Sequence, residues 1–338
     1  MSKKSVKGRG YKLRNRFKIL LLLLVVLCGC LIFIKYKKEM VEKKLAEEAL
    51  QEELRLKKIE EEKQKKEYDD CLKLSLNEDK GVIALQNDFL EELNNKYEIS
   101  FMFEDLNSGY KVGENEKRSH YAASTIKLLD ALYLYTMARN GNVDLNDTKV
   151  YAQQYSVGGL KNYKVGDEIS IRNLVKEAIL ISDNNAHLML VDYIGFNNLK
   201  VFGNDLGATT TLIGGDKFGN ISAYDANLYL KELYNFLSID DVYSKELYDF
   251  FLNADQNYFT ASDVDVLHKY GNYSYYYNDL SIVYEDNPYT LVILSYYGEG
   301  NYEDIFADIQ LIVNNFSKDY NQYKVNYCTN MIYEKTES

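Results

Sequence analysis

The chain has little with which to hold a metal or a phosphate. Its three histidines, His120, His187 and His268, are scattered, with no HExxH pattern and no Cys/His ligand spacing. No metal site and no cofactor is therefore expected. The glycine patterns that cradle phosphates, GxGxxG and the P-loop, are also missing. Basic residues form a single cluster, at the very start, and the net charge of −11 argues against a nucleic-acid surface. Cysteine is sparse: Cys28 and Cys30 sit in an apolar run, and Cys71 and Cys328 lie at opposite ends of the later sequence. The last two are either a disulfide or two thiols. Between residues 37 and 67 there is no glycine and no proline.

What the start does contain is a basic cluster, Lys3, Lys4, Lys7, Arg9, Lys12, Arg14, Arg16 and Lys18, with no acid among them. Behind it runs ILLLLLVVLCGCLIFI, closed by Lys35. This predicts a membrane span over residues 19–35, short but extended by snorkelling lysines and by Tyr36 at the interface. The basic tail, residues 1–18, is expected in the cytoplasm and the remainder outside the cell. A cleaved signal peptide is the first alternative, although no small-residue cleavage site follows the run. Leu27-Cys-Gly-Cys30 also resembles a lipoprotein box, but the sequence stays apolar past Cys30. The uncleaved, single-pass anchor is the preferred reading.

Residues 36–70 are mainly Glu, Lys, Leu and Ala, with opposite charges at helical spacing, and predict a long solvated helix acting as a stalk. Val41, Leu45, Ala49, Leu54 and Ile59 do not keep a strict heptad, so a homo-oligomer paired through the stalk is an option only. Residues 71–338 form the functional domain. An amphipathic helix is expected over 81–97, then the strand ISFMFEDL and a turn at Asn107-Ser-Gly109. Helical patterns fill the stretch to Ala254. Strand alternation returns in VDVLHKYG, DLSIVYED and YTLVILSYYG, before a last helix over 302–315. Strands at both ends with helices between them predict an α/β (α+β) domain, one sheet built from both chain ends plus a helical subdomain.

Within that domain, YAASTIKLLDALYLYTM reads as a helix starting near Ser124 and apolar on nearly every side, hence central. It ends at Asn140-Gly-Asn142. Its first turn carries Ser124 and Lys127, three apart and so on one face. An ammonium held against so apolar a helix is costly to desolvate, which lowers its pKa and frees an amine to take the serine proton. The helix N-terminus favours negative charge developing beside it. The plainer reading makes Ser124 a helix cap. A second Ser-x-x-Lys, Ser108-Gly-Tyr-Lys111, reads as an accidental match in a polar hairpin turn.

Two further polar groups follow in order: Ser182-Asp-Asn184 interrupting an apolar helical stretch, and Lys269-Tyr-Gly271 at the end of a strand. The ordered set S-x-x-K, S-D-N, K-T-G is the signature of class A β-lactamases and penicillin-binding proteins, which residues 81–317 resemble. The likeness extends to Tyr155-Ser156, Gly166, Ile194-Gly195 and the strands VLHKYG and DLSIVY. It implies that family's fold, with an antiparallel sheet flanked by helices. It also implies roles. Ser124 would be acylated and Lys127 would receive its proton. Ser182 would relay a proton to the leaving nitrogen, helped by the charge of Lys269. Asn184 would bind the substrate's acylamide side chain. Backbone N–H groups of Ser124 and Asn272 would form the oxyanion hole, and Gly271 would let the substrate backbone lie close.

Three departures bear on function. Tyr270 replaces the family's Thr or Ser, whose hydroxyl holds the substrate carboxylate, and no arginine follows to replace it. Asp216 falls where the family's deacylating glutamate stands, one methylene shorter, in a loop that ends early at Asn220; the alternative is a turn residue after two glycines. Ile213 and Gly214 stand where an acid and an arginine would clamp that loop. The expected function is a membrane-anchored extracellular serine hydrolase acylated by a β-lactam or by a peptidoglycan stem peptide, and slow to deacylate. The alternative is a non-catalytic module on a stalk that binds wall peptide or a partner protein.

Overall fold

The structure is a computed structural model of the chain and describes residues 9–152, 160, 162–259, 263–296 and 302–337. The basic positions Lys3, Lys4 and Lys7 and the Tyr155-Ser156 pair lie outside the described residues. The chain divides into two units, Met1–Glu67 and Tyr68–Ser338. Helix α1 (Arg9–Leu72) is uninterrupted and makes up the described part of the first unit, its residues 37–67 having neither glycine nor proline to break it. Its most apolar window has a mean hydropathy of 3.0, long and apolar enough to cross a membrane, and the large apolar side chains there are exposed. Lys35–Glu39, Lys38–Glu42 and Lys44–Glu48 then pair one turn apart along the helix surface.

The second unit opens with α2 (Lys80–Lys96), whose N-cap Asp79 accepts hydrogen bonds from Gly81 N and Val82 N. Next come β1 (Ile99–Asp105), β2 (Lys111–Glu114) and the two-residue β3 (His120–Tyr121). A 3₁₀ turn, Ala123–Ile126, leads into α3 (Lys127–Arg139). Helices then dominate: α4 (Ile171–Leu180), α5 (Asn184–Ile194), α6 (Phe196–Asp205), α7 (Ala223–Leu237) and α8 (Val242–Leu252). Small ladders, β4 (Thr148–Val150) with β5 (Glu168–Ser170) and β3 with β6 (Asn220–Ile221), tie the loops between them. Ser170, Asp183, Ser222 and Asp241 cap α4, α5, α7 and α8 through their side-chain oxygens. Finally β7 (Val266–Tyr273), β8 (Tyr276–Val283), β9 (Tyr289–Tyr296) and α9 (Tyr302–Glu337) close the unit.

The sheet runs β2-β1-β9-β8-β7, antiparallel throughout, so both ends of the unit do supply one sheet. Successive strand residues face opposite sides and feed two cores. Phe101, Phe103, Leu291 and Ile293 pack with α2 and α9. Met102, Val292 and Leu294 pack with the helical half around α3. The helix α3 is buried along most of its length and touches α4, α5, α6, α7 and α8. A helix enclosed in this way sets the position of whatever its first turn carries.

The last helix extends well past residue 315, where the sequence pattern places its end. Its buried stripe continues through Phe316, Tyr320, Lys324 and Cys328, each four residues on from the last. The polar residues Ser317 and Asn321 share that buried side, and Lys324 within the stripe hides its apolar character. Phe89 of α2 stacks on Phe316 at 4.3 Å, and Tyr110 on Tyr320 at 4.3 Å. At the far end Cys328 is disulfide-bonded to Cys71.

That bond closes a loop across 257 positions, and so removes much chain entropy from the unfolded state. Cys71→Ser, or reduction, should lower the unfolding free energy of the second unit by about 2–5 kcal/mol. Denaturant midpoints with and without reductant would measure it, and identical midpoints would show that the bond adds no stability.

Candidate active site

Ser124 sits in the tight turn ahead of α3, a turn held by the sheet. Gly271 of β7 approaches so closely that a Cβ there would stand 2.7 Å from Thr125 N and 2.9 Å from both Ser124 N and Ala122 O. The glycine therefore makes room for the serine's own turn. Asn278 of β8 donates from Nδ2 to the carbonyls of Tyr121 (2.9 Å) and Ala122 (3.3 Å). Thr125 Oγ1 donates to Ala122 O at 2.7 Å. Ala123 has a φ of +51° and Ser182 a φ of +55°, sparsely populated for residues with a side chain. Both strained residues lie at the site, where such conformations tend to gather.

Lys127 is fully buried, and its Nζ gathers the polar groups. It lies 2.8 Å from Ser124 Oγ, 2.6 Å from Ser182 O, 3.2 Å from Ser182 Oγ and 2.8 Å from Asn184 Oδ1. From the opposite side, Lys269 Nζ donates to Ser182 Oγ and to the Tyr270 carbonyl, each at 3.0 Å. The Ser182 hydroxyl thus stands between two amines. Burial drives the Lys127 pKa down to about 7, against the opposing pull of Asp183 and Asp130. Burial, then the charge of Lys127, holds Lys269 well below its ordinary range. A neutral amine at Lys127 has a lone pair aimed at Ser124 Oγ and can take its proton. Ser124, Lys127, Ser182, Asn184 and Lys269 are thus brought together.

The remaining sequence candidates are placed differently. Tyr270 is buried in the sheet's other core, its ring 6.2 Å from that of Tyr258 and 4.1 Å from Lys269 Nζ. Burial holds its phenol above the ordinary range, with the Ser182 hydroxyl acting in the opposite sense. Asn272 is exposed and pairs with Tyr277 near the end of the β7–β8 ladder. Asp216 is also exposed, and its Oδ1 accepts a hydrogen bond from Phe218 N at 2.9 Å, while its carbonyl accepts from Gly219 N. That carboxylate shapes its own turn.

Sequence reasoning passed over two neighbours of Lys127. Asp130, one turn along α3, is fully buried and lies 2.5 Å from Nδ1 of His187, also fully buried. Phe218 places its ring 5.8 Å from Lys127 Nζ and 4.6 Å from the His187 ring. A signal existed for Asp130: an acid three residues after Lys127 in an otherwise apolar helix needs a buried partner. His187, read as a packed core residue, is packed and is that partner.

The sequence model of a family described as "Beta-lactamase enzyme family" matches residues 84–316. Among solved structures, one of PBP-A superposes with a TM-score of 0.63 at 18% identity, covering 70% of this chain and 96% of that one. An acyl-enzyme complex of a PBP-A mutant with penicillin G gives 0.63 at 19% identity, covering 70% and 97%. The class A β-lactamase of the last common ancestor of Gram-negative bacteria gives 0.59 at 19%, covering 69% and 99%. Likeness at these identities shows a common fold. Among curated proteins none matches the chain.

The depressed Lys127 pKa has a consequence for stability. The unfolded chain holds this proton up to about pH 10.5, whereas the folded chain releases it at about 7. Between those values the unfolded state binds more protons, so stability rises with pH across that window. Relative to Lys127→Met, the wild type should gain a few kcal/mol between pH 6 and pH 10, at about 1.4 kcal/mol per pKa unit. Chemical unfolding of both proteins across that range measures this; parallel curves would mean that Lys127 titrates as an ordinary lysine.

Proposed function

Since the chain belongs to the β-lactamase enzyme family, we propose that it is a membrane-anchored, extracellular serine hydrolase that forms an acyl-enzyme on Ser124. Its substrate would be a β-lactam or the D-alanyl-D-alanine end of a peptidoglycan stem peptide. One observation carries the reading: a buried lysine amine 2.8 Å from Ser124 Oγ, with a pKa brought to about 7. Ser124 Oγ attacks the amide carbonyl carbon as Lys127 Nζ takes its proton. The C–N bond then breaks. Ser182, hydrogen-bonded to both Lys127 and Lys269, passes a proton to the leaving nitrogen and is resupplied from Lys127. The backbone N–H groups of Ser124 and Asn272 receive the oxyanion, and Asn184 binds the acylamide side chain.

The same reading assigns Asp216 at most a weak part in deacylation. A base for the hydrolytic water needs a free carboxylate within reach of the ester, and this one is exposed and bonded to its own turn. Acylation by penicillins then outruns hydrolysis. The exposed apolar stretch of α1 supports the anchor, with the basic tail in the cytoplasm.

Ser124→Ala should abolish covalent labelling by a fluorescent penicillin while leaving the fold intact. Lys127→Ala should slow acylation by about a hundredfold or more. Equal labelling of wild type and Ser124→Ala would remove the serine from the mechanism, and no labelling of either would favour a binding module. Followed by mass spectrometry, the penicillin-treated second unit should keep its adduct. Rapid return to the unmodified mass, lost in Asp216→Asn, would instead mark an efficient β-lactamase. On intact cells, external protease should release a fragment starting between Lys37 and Asp70; a fully protected chain would reverse the topology.

A further inference from the structure

The mechanism above leaves two buried titratable groups unused, Asp130 and His187, and both stand beside the base. His187 Nδ1 meets Asp130 Oδ2 at 2.5 Å, and its Nε2 meets the carbonyl oxygen of Lys217 at 3.1 Å. A carbonyl only accepts, so Nε2 must carry a hydrogen and donate it. The other hydrogen is shared between Nδ1 and the carboxyl group. Wherever it resides, the two side chains together are neutral. Asp130 thus fixes the ring's tautomer, and the ring fixes the loop.

That loop reaches Lys127. It is held at its start by Asp225, whose carboxylate accepts from Thr209 N, Thr210 N, Thr211 N and Thr211 Oγ1 at 2.7–3.1 Å. The stretch from Ile213 to Asp216 is exposed and includes Gly214 and Gly215 at positive φ, so it has little rigidity of its own. His187 holds the loop again at Lys217, whose ammonium also meets Asp192 at 2.6 Å. The next residue, Phe218, lies against His187 and over Lys127 Nζ.

We propose that His187, oriented by Asp130, is a positioning residue that pins Lys217–Phe218 across Lys127, keeping the amine dry and the neighbouring carboxyl neutralised. The inference rests on the reading of Lys127 as the base that accepts the Ser124 proton. Without the imidazole, water reaches the amine as Phe218 departs. That favours the ammonium, which cannot accept a proton. The other groups facing Lys127, namely Asp183, Lys269, Ser182 and Asn184, stay where they are.

The test follows the Lys127 Nζ titration by NMR of the ¹³C-lysine-labelled full chain in detergent micelles, assigned with Lys127→Met, together with amide exchange of the loop. Neither readout needs substrate. In His187→Leu the midpoint should rise from about 7 by about one unit or more, and the amides near Phe218 should exchange faster. Phe218→Ala should raise the midpoint with Asp130 still paired, and it serves should His187→Leu not fold. The double variant Asp130→Asn/His187→Gln can rebuild both hydrogen bonds without charge, Asn to Gln to Lys217 O, and should keep the wild-type midpoint and protection. An unmoved midpoint in His187→Leu or in Phe218→Ala overturns the inference, as does unchanged loop protection in His187→Leu. Penicillin acylation of the same samples tests the catalytic reading separately: its absence from wild type sinks that reading, whatever the titration shows.

Discussion

Two ammonium-forming side chains, Lys127 and Lys269, are taken out of water on either side of one hydroxyl, Ser182 Oγ. Burying even one such charge is costly, and two of like sign repel as well. The rest of the second unit can be understood as the framework that tolerates this. Lys127 is delivered by a helix enclosed on nearly all sides, Lys269 by an edge strand of the sheet, and the hydroxyl by the strained link between α4 and α5. The two amines can lose protons where they would otherwise stay charged, so the energetic cost of the arrangement is also the source of its reactivity.

Three rigid elements meeting at one point leave little tolerance for a misplaced backbone. Gly271 against the Ala122–Thr125 turn and Asn278 under the Tyr121 and Ala122 carbonyls lock the sheet to the Ser124 turn. Asp183, capping α5 through Ala186 N, fixes the start of the helix that carries Asn184 and His187. A site assembled in this way is precise because its parts sit on helices and strands or on tight turns clamped between them, whereas the loop from Ile213 to Asp216 relies on individual side chains to hold it.

How much of this the sequence disclosed depended on the kind of signal. The reactive polar residues were legible because each interrupts an apolar segment at a recognisable spacing: Ser124 with Lys127, Ser182 with Asn184, Lys269 with Gly271. The sheet's composition from both chain ends was legible from strand alternation on either side of a helical stretch. The second half of α9 was not, because Lys324 and Asn321 lie on its buried side and blur the apolar stripe. That Gly271 lies against the serine's turn was hidden because a close approach between β7 and that turn leaves no mark except the glycine. Asp130 and His187 are 57 positions apart, and nothing local in either segment names the other. The posture of Asp216 depends on which donor its carboxylate finds, and the spacing that aligned it with a glutamate carries no such information.

The disulfide between Cys71 and Cys328 gives the second unit a further property. Because it joins the root of the unit to its last helix, everything between lies within a covalent ring. A single proteolytic nick anywhere from residue 72 to residue 327 opens that ring without detaching either fragment. The piece bearing Ser124 and the piece bearing Lys269 would remain bonded through Cys71 and Cys328 and free to stay docked, so damage to one loop need not cost the protein its site.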